Sequence, residues 1–209
     1  MAYVLGFFAA DGYITVNRRG GQYWCIQIKD KELLENIKKV VSSEHKISIR
    51  IIKKPAKSIL YRIQIGSVEM CNDLRKLGYS ERKTKSLAIP NIPDEYFPNF
   101  VRGYFDGDGN VWTGLINKKR ITPNYIITTC FTSCSFCFLY KLKKKFEHIG
   151  IECGKLYKLK DKQCHRLKLN LQGSLKLYDF MYNRGDQGLS GLFLERKKRI
   201  FEIFIRLRP

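Results

Sequence analysis

Gly6-Phe7-Phe8-Ala9-Ala10-Asp11-Gly12 returns later in the chain as Gly103-Tyr104-Phe105-Asp106-Gly107-Asp108-Gly109. Each copy is an apolar run that ends in an aspartate followed by a glycine. Gly12 and Gly109 sit where a helix commonly terminates in a left-handed residue, which puts Asp11 and Asp108 at helix C-termini. That is the unfavourable end for an anion, because the last carbonyls carry the negative pole of the helix. A local rule broken twice in the same way marks a site retained for function. Gly6 with Ala10, and Gly103 with Gly107, repeat at i, i+4, a spacing that lets two helix backbones approach closely. Two such helices side by side would bring Asp11 and Asp108 together at one end. Paired carboxylates repel unless a hard cation sits between them, and oxygen ligands of this kind suit Mg²⁺.

Outward from the motif, the rest of the chain also repeats. Asp30 is a plausible N-cap for a helix through Ile37, Val40 and Val41. In the second half Leu139, Leu142, Phe146 and Ile149 give a similar helix stopped at Gly150. Period-two segments follow: Lys46–Ile51, with Ile47, Ile49 and Ile51 on an oily face, then Arg62–Ile65, and Arg166–Leu171 in the second half. Further helices are expected over Ser67–Leu77, closed by Gly78, and over Ser174–Tyr182. Glu81-Arg82-Lys83 is echoed by Glu195-Arg196-Lys197. Helix, strands, helix, strands, helix therefore occurs twice, dividing the chain into a unit at 1–88, a stiff Pro-rich connector at 89–98, and a unit at 99–209.

Composition fits a polyanion partner. The 209 residues carry a net charge of +20, of which +7 lies in residues 1–99 and +13 in residues 100–209. The excess coats both halves, and neutralising phosphates would relieve its self-repulsion. A hydrophobic fraction of 44% excludes a disordered tail. The apolar start, Met1 to Ala10, lacks a positively charged n-region and is too short to span a bilayer, so neither secretion nor membrane insertion is expected. Seven cysteines form no small-scaffold framework, and the lone Cys134-x-x-Cys137 lacks the second pair a zinc site needs. A reducing, intracellular setting with buried thiols is the expectation.

The stretches Val4–Gly12 and Val101–Gly109 resemble the signature of the LAGLIDADG homing endonucleases, and the resemblance extends over nearly the whole chain. It implies the single-chain, pseudo-two-fold version of that family. That is an α/β (α+β) protein of two αββαββα units, with saddle-shaped antiparallel sheets along the DNA major groove, packed through the two motif helices. It places the metal-binding acids on Asp11 and Asp108. The preceding acidic position, structural in the family, is Ala9 in the first copy and Asp106 in the second. The resemblance also calls for basic residues near the scissile phosphates, for which Lys83 and Lys197 are the candidates, with Lys85 and Arg199 beside them. A water-ordering polar residue would be Gln27 or, by another alignment, fall at Ile26; the second half offers Thr132 or Phe131.

The implied activity is metal-dependent hydrolysis of one phosphodiester on each strand of double-stranded DNA, leaving short 3′ overhangs. Mg²⁺ would serve as cofactor, Mn²⁺ would substitute, and Ca²⁺ would support binding without cleavage. The enzyme would be an intron-encoded monomer. Base and phosphate contacts are expected from Asn17, Arg19, Ser48, Arg50, Arg62, Gln64, Lys158, Lys160, Arg166, Lys168 and Asn170, because Arg suits guanine and Asn or Gln suits adenine. Unequal halves imply an asymmetric target. The alternative is a non-cleaving RNA-splicing maturase or DNA-binding regulator on the same scaffold. A basic ribonucleoprotein component would leave the two aspartates without a purpose.

Overall fold

The computed structural model describes residues 1–53, 58–81, 83–117, 119, 121–122, 124–160, 163–184 and 192–207. The first motif forms helix α1 (Ala2–Asp11), which runs directly into strand β1 (Gly12–Val16). Then come β2 (Gln22–Ile28), α2 (Lys31–Val40), β3 (Ser48–Ile52), β4 (Ser58–Gly66), α3 (Val68–Lys76) and a short α4 (Lys83–Ser86). After a 3₁₀ turn at Asp94–Tyr96 the second motif forms α5 (Phe97–Asp108). The series repeats as β5 (Gly109–Ile116), β6 (Asn124–Ser133), α6 (Phe136–His148), β7 (Cys153–Lys158), β8 (His165–Leu169), α7 (Leu171–Tyr178) and α8 (Glu195–Leu207), with a π-turn at Asp179–Asn183.

Each half holds one four-stranded antiparallel sheet, in the orders β1-β2-β4-β3 and β5-β6-β8-β7. Matching registers reveal the internal two-fold. Gly12 pairs with Ile26 as Gly109 pairs with Phe131, and Gln27 pairs with Arg62 as Thr132 pairs with Arg166. One face of each sheet is oily and covered by helices: Ile14, Trp24, Ile26, Ile63 and Ile65 in the first, Val111, Ile127, Phe131, Leu167 and Leu169 in the second, all buried. The alternating residues, among them Gln27, Arg62, Gln64, Arg166 and Lys168, point to the opposite face.

Side-chain caps start the helices where the sequence suggests. Asp30 accepts from Leu33 N–H at 3.0 Å, Ser67 from Met70 N–H at 3.1 Å, and Ser135 from Phe138 N–H at 3.2 Å. Gly78 and Gly150 close α3 and α6 with φ of +90° and +78°. The motif glycines behave differently. Gly12 and Gly109 are extended, at φ −81° and −85°, rather than left-handed. They are glycines for want of room: a Cβ would lie 2.1 Å from the Phe8 ring and 2.2 Å from the Phe105 ring.

Three further expectations are corrected. The strand expected from Lys46 begins at Ser48, and its isoleucines are not covered: Ile49 and Ile51 are 63% and 56% exposed on this outermost strand. The Arg166 strand stops at Leu169, since Asn170 caps α7 by accepting from Gly173 N–H at 2.8 Å. Cysteines 25, 71 and 130 are buried thiols, but Cys134 and Cys164 form a disulfide beside the end of the β6–β8 ladder.

Candidate active site

The site is made by the seam between α1 and α5. Cβ atoms placed on Gly6 and Gly103 would each lie 2.0 Å from a backbone oxygen, of Phe100 and Tyr3 respectively, so the two helix backbones touch. At the far end a Cβ on Gly107 would fall 2.3 Å from Ala10 Cβ and 3.3 Å from Asp11 Oδ2. The small residues thus do what their spacing suggests. They bring the helices close enough that Asp11 and Asp108, the last residue of each, share one end of the seam.

Both carboxylates face solvent on one side and protein on the other. Loss of hydration raises the pKa of Asp11 above the ordinary carboxylate value. Asp108 is pushed to about 6, first by desolvation and then by the charge of Asp11. Two partly dehydrated carboxylates, one raising the proton affinity of the other, form a place where a divalent cation is favourable, so the donor set fits one. Among the described residues no group of three or more His, Cys, Asp or Glu side chains gathers in one place. Two carboxylates would therefore rely on water and phosphate oxygens for the remaining ligands, as Mg²⁺ commonly does.

Lys83 and Lys197 arrive at the same place from α4 and α8, buried to 7% and 5% exposure. Lys83 Nζ donates to Ala9 O at 2.8 Å. Lys197 Nζ donates to Phe105 O, Asp106 O and Gly109 O at 2.6, 2.7 and 2.6 Å. Each lysine supplies the positive charge that a helix C-terminus favours, brought in from a distant element. Burial lowers both to about 8, against the pull of the aspartates. Lys85 and Arg199 are exposed. Arg82 lies outside the described residues.

Asp106 is itself buried, at 2% exposure. Its Oδ2 accepts from Tyr3 OH at 2.7 Å, across the seam, and from Leu194 N–H at 2.9 Å, just before α8. It therefore ties the helix that carries Lys197 to both motif helices. The first half has Ala9 at this position and no such tie. Gln27 stands with Asp11, Lys29 and Arg196 in the wall of a cleft of about 640 Å³. Ile26, the other alignment, is fully buried. By the register Thr132, not buried Phe131, is the counterpart of Gln27.

The open faces of the sheets collect most of the proposed reading residues. Ser48, Arg50, Arg62 and Gln64 share the first, and Arg166 and Lys168 the second. Five others lie elsewhere. Asn17 accepts from the N–H groups of Arg19 and Gly21, holding the β1–β2 turn, and Arg19 sits exposed in that turn. Lys158 pairs with His165, which puts it on the helix side of the second sheet, and Lys160 lies in the turn beyond. Asn170 is a helix cap. The register instead pairs Arg166 with Tyr157 on β7, which puts Tyr157 on the open face.

Comparison with known proteins agrees with this architecture. Residues 1–77 match the family of LAGLIDADG-like domains. The whole chain superposes on the meganuclease I-SmaMI bound to uncleavable DNA, with a TM-score of 0.66 at 15% identity, covering 98% of this chain and 89% of that one. The chain has the two-repeat LAGLIDADG fold. The LAGLIDADG meganuclease I-AabMI bound to uncleaved DNA gives a TM-score of 0.60 at 15% identity, covering 98% and 88%. I-SmaMI bound to an uncleaved DNA target with calcium ions gives 0.58 at 13%, covering 98% and 89%. No curated protein sequence matches the chain. No helix among the described residues is long and apolar enough to cross a membrane. In this fold the paired helices are α1 and α5, and Asp11 shares a cleft with Gln27 and Leu60 of the first sheet.

Proposed function

We propose that this chain is a site-specific DNA endonuclease that hydrolyses one phosphodiester in each strand of a long, asymmetric duplex target. The observation that carries the reading is the meeting of Asp11 and Asp108 at the end of a glycine-lined helix seam. Asp11 and Asp108 hold the divalent cations. Mg²⁺, or Mn²⁺ in its place, supplies stabilisation of the attacking and leaving oxygens when bound there. Lys83 and Lys197 fix the helix ends and lend positive charge to the phosphate as negative charge develops. Gln27, with Thr132 opposite, orders solvent beside the scissile group. Residues 1–88 and 99–209 act as the two half-site readers, joined through 89–98, so a monomer suffices. Arg19, Ser48, Arg50, Arg62, Gln64, Lys160, Arg166 and Lys168 meet the duplex, together with the net charge of +20.

The similar meganucleases were captured on DNA, one of them with calcium, which supports a duplex substrate and a divalent cofactor. An intracellular site of action and an origin inside an intron belong to the same reading, as the family resemblance implies, and the genomic context of the reading frame checks the second. A non-cleaving maturase or regulator would have no use for a paired aspartate end, and both acids are retained. In the test, Asp11→Asn and Asp108→Asn abolish cutting of a selected duplex in Mg²⁺ while binding in Ca²⁺ persists. Undiminished cutting by the double variant would overturn the assignment.

A further inference from the structure

The two open sheet faces differ in chemistry, and the difference concerns what kind of DNA each can read. On the first, the central positions carry Arg62, Gln64, Arg50 and Gln27, groups that hydrogen-bond to base edges. On the second, the pair equivalent to Thr15 and Tyr23 is Trp112 opposite Thr128, followed by Gly114 opposite Ile126. Trp112 is 48% exposed on the edge strand β5, on the same face as Thr128, Gly114 and Ile126. Its ring lies over Gly114, where a Cβ would come within 2.5 Å of the indole, so the glycine leaves room for the ring to lie along the sheet. Thr128 and Ile126 continue the apolar strip into a depression shared with Lys155, Tyr157 and Lys168.

An exposed indole flanked by an isoleucine and a threonine methyl is costly to leave in water, and no helix covers it. A duplex offers one apolar group in its major groove, the 5-methyl of thymine, and threonine methyls and aromatic rings are suited to contact it. Lys155 and Lys168 beside the strip supply the charge that holds the phosphates on either side. A protein partner would be poorly served by a patch so ringed with lysine.

Resting on the endonuclease reading, we propose that Trp112 is a specificity-determining residue. With Thr128 and Ile126 it reads thymine methyl groups in the half-site under the C-terminal sheet, whereas the N-terminal sheet reads its half-site by hydrogen bonds.

The test begins with a duplex selected from a randomised library by the full chain in Ca²⁺. Thymines of that duplex are replaced by deoxyuridine one position at a time, and binding is measured for the parent and for Trp112→Ala. Each lost methyl contact should weaken parental binding by about threefold to tenfold. The sensitive positions should cluster in one half-site, and the same replacements should leave Trp112→Ala unaffected. Trp112 is exposed, so the variant should keep the melting temperature of the parent and its affinity for the other half-site. A selected duplex with no position whose uracil sensitivity vanishes in Trp112→Ala overturns the methyl-reading proposal alone. Failure of the parent to select any duplex overturns the endonuclease reading and this one with it.

Discussion

Asp108 titrates near 6 because it is partly dehydrated and faces Asp11, whereas the same side chain in an unfolded chain titrates at 3.8. The folded protein therefore holds that proton more tightly. This contribution to stability is full below about pH 4 and is lost as the pH rises through 6. Asp108→Asn removes the charge, so without divalent cation it should melt above the parent at pH 7.5, with the gap closing towards pH 4. The gain is on the order of 1 kcal/mol after allowing for solvent screening of an exposed group. A parent that melts higher than the variant at pH 7.5 would show that the carboxylates do not repel. The lysines invite a comparison. Lys197→Met strands Asp106 O and Gly109 O, while Phe105 O keeps the Gly109 N–H, and Lys83→Met strands Ala9 O. Unfolding titrations should find the first costing about 2–4 kcal/mol and the second about half as much, at roughly 1–2 kcal/mol per group left unpaired.

Among the elements, α1 and α5 bear the tightest constraint. Gly6→Ala or Gly103→Ala puts a methyl 2.0 Å from a backbone oxygen, and a rigid helix cannot yield locally. Either substitution should cost more than about 3 kcal/mol by denaturant titration and reduce cutting, since a wider seam separates the aspartates. Gly20→Ala, with open space but φ of +81°, should cost only about 1 kcal/mol. The seam was readable because Gly6, Ala10, Gly103 and Gly107 carry its geometry in their spacing. The ends of the strands were not. Asn170 looks like one more polar residue in an alternating run, and only the start of α7 turns it into a cap. Ile49 and Ile51 alternate as core residues do, yet period two reports which side a residue faces and not whether a helix reaches it. Lys158 was misplaced because β7 shifts register between Cys153 and Leu156, which alternation cannot register. Lys83 and Lys197 were legible as an echo, but their acceptors lie some 70 to 90 residues away, out of reach of any local pattern.

For the whole molecule, the charge of +20 is spread over both halves rather than carried in a tail. Duplex affinity should therefore fall steeply and linearly on a log–log plot against salt. Arg50→Ala and Lys168→Ala, from different sheets, should each reduce the slope by about 1 if they meet phosphates, and by less if they meet bases. Identical slopes for the parent and a variant altered at both positions would place these side chains off the duplex. The comparison also tests whether both sheets engage at once, because a single engaged half would respond to only one of the two substitutions.

The seam has a reciprocity that reaches beyond its tightness. Gly6 abuts Phe100 while Gly103 abuts Tyr3, so each position touches the counterpart of its own neighbour. That isologous pattern is the one two identical subunits must adopt about a rotation axis. Held within one chain, the contact that two identical subunits would share becomes an internal one. Freed from identity, the copies can differ, one holding Asp106 and Trp112 where the other holds Ala9 and Thr15.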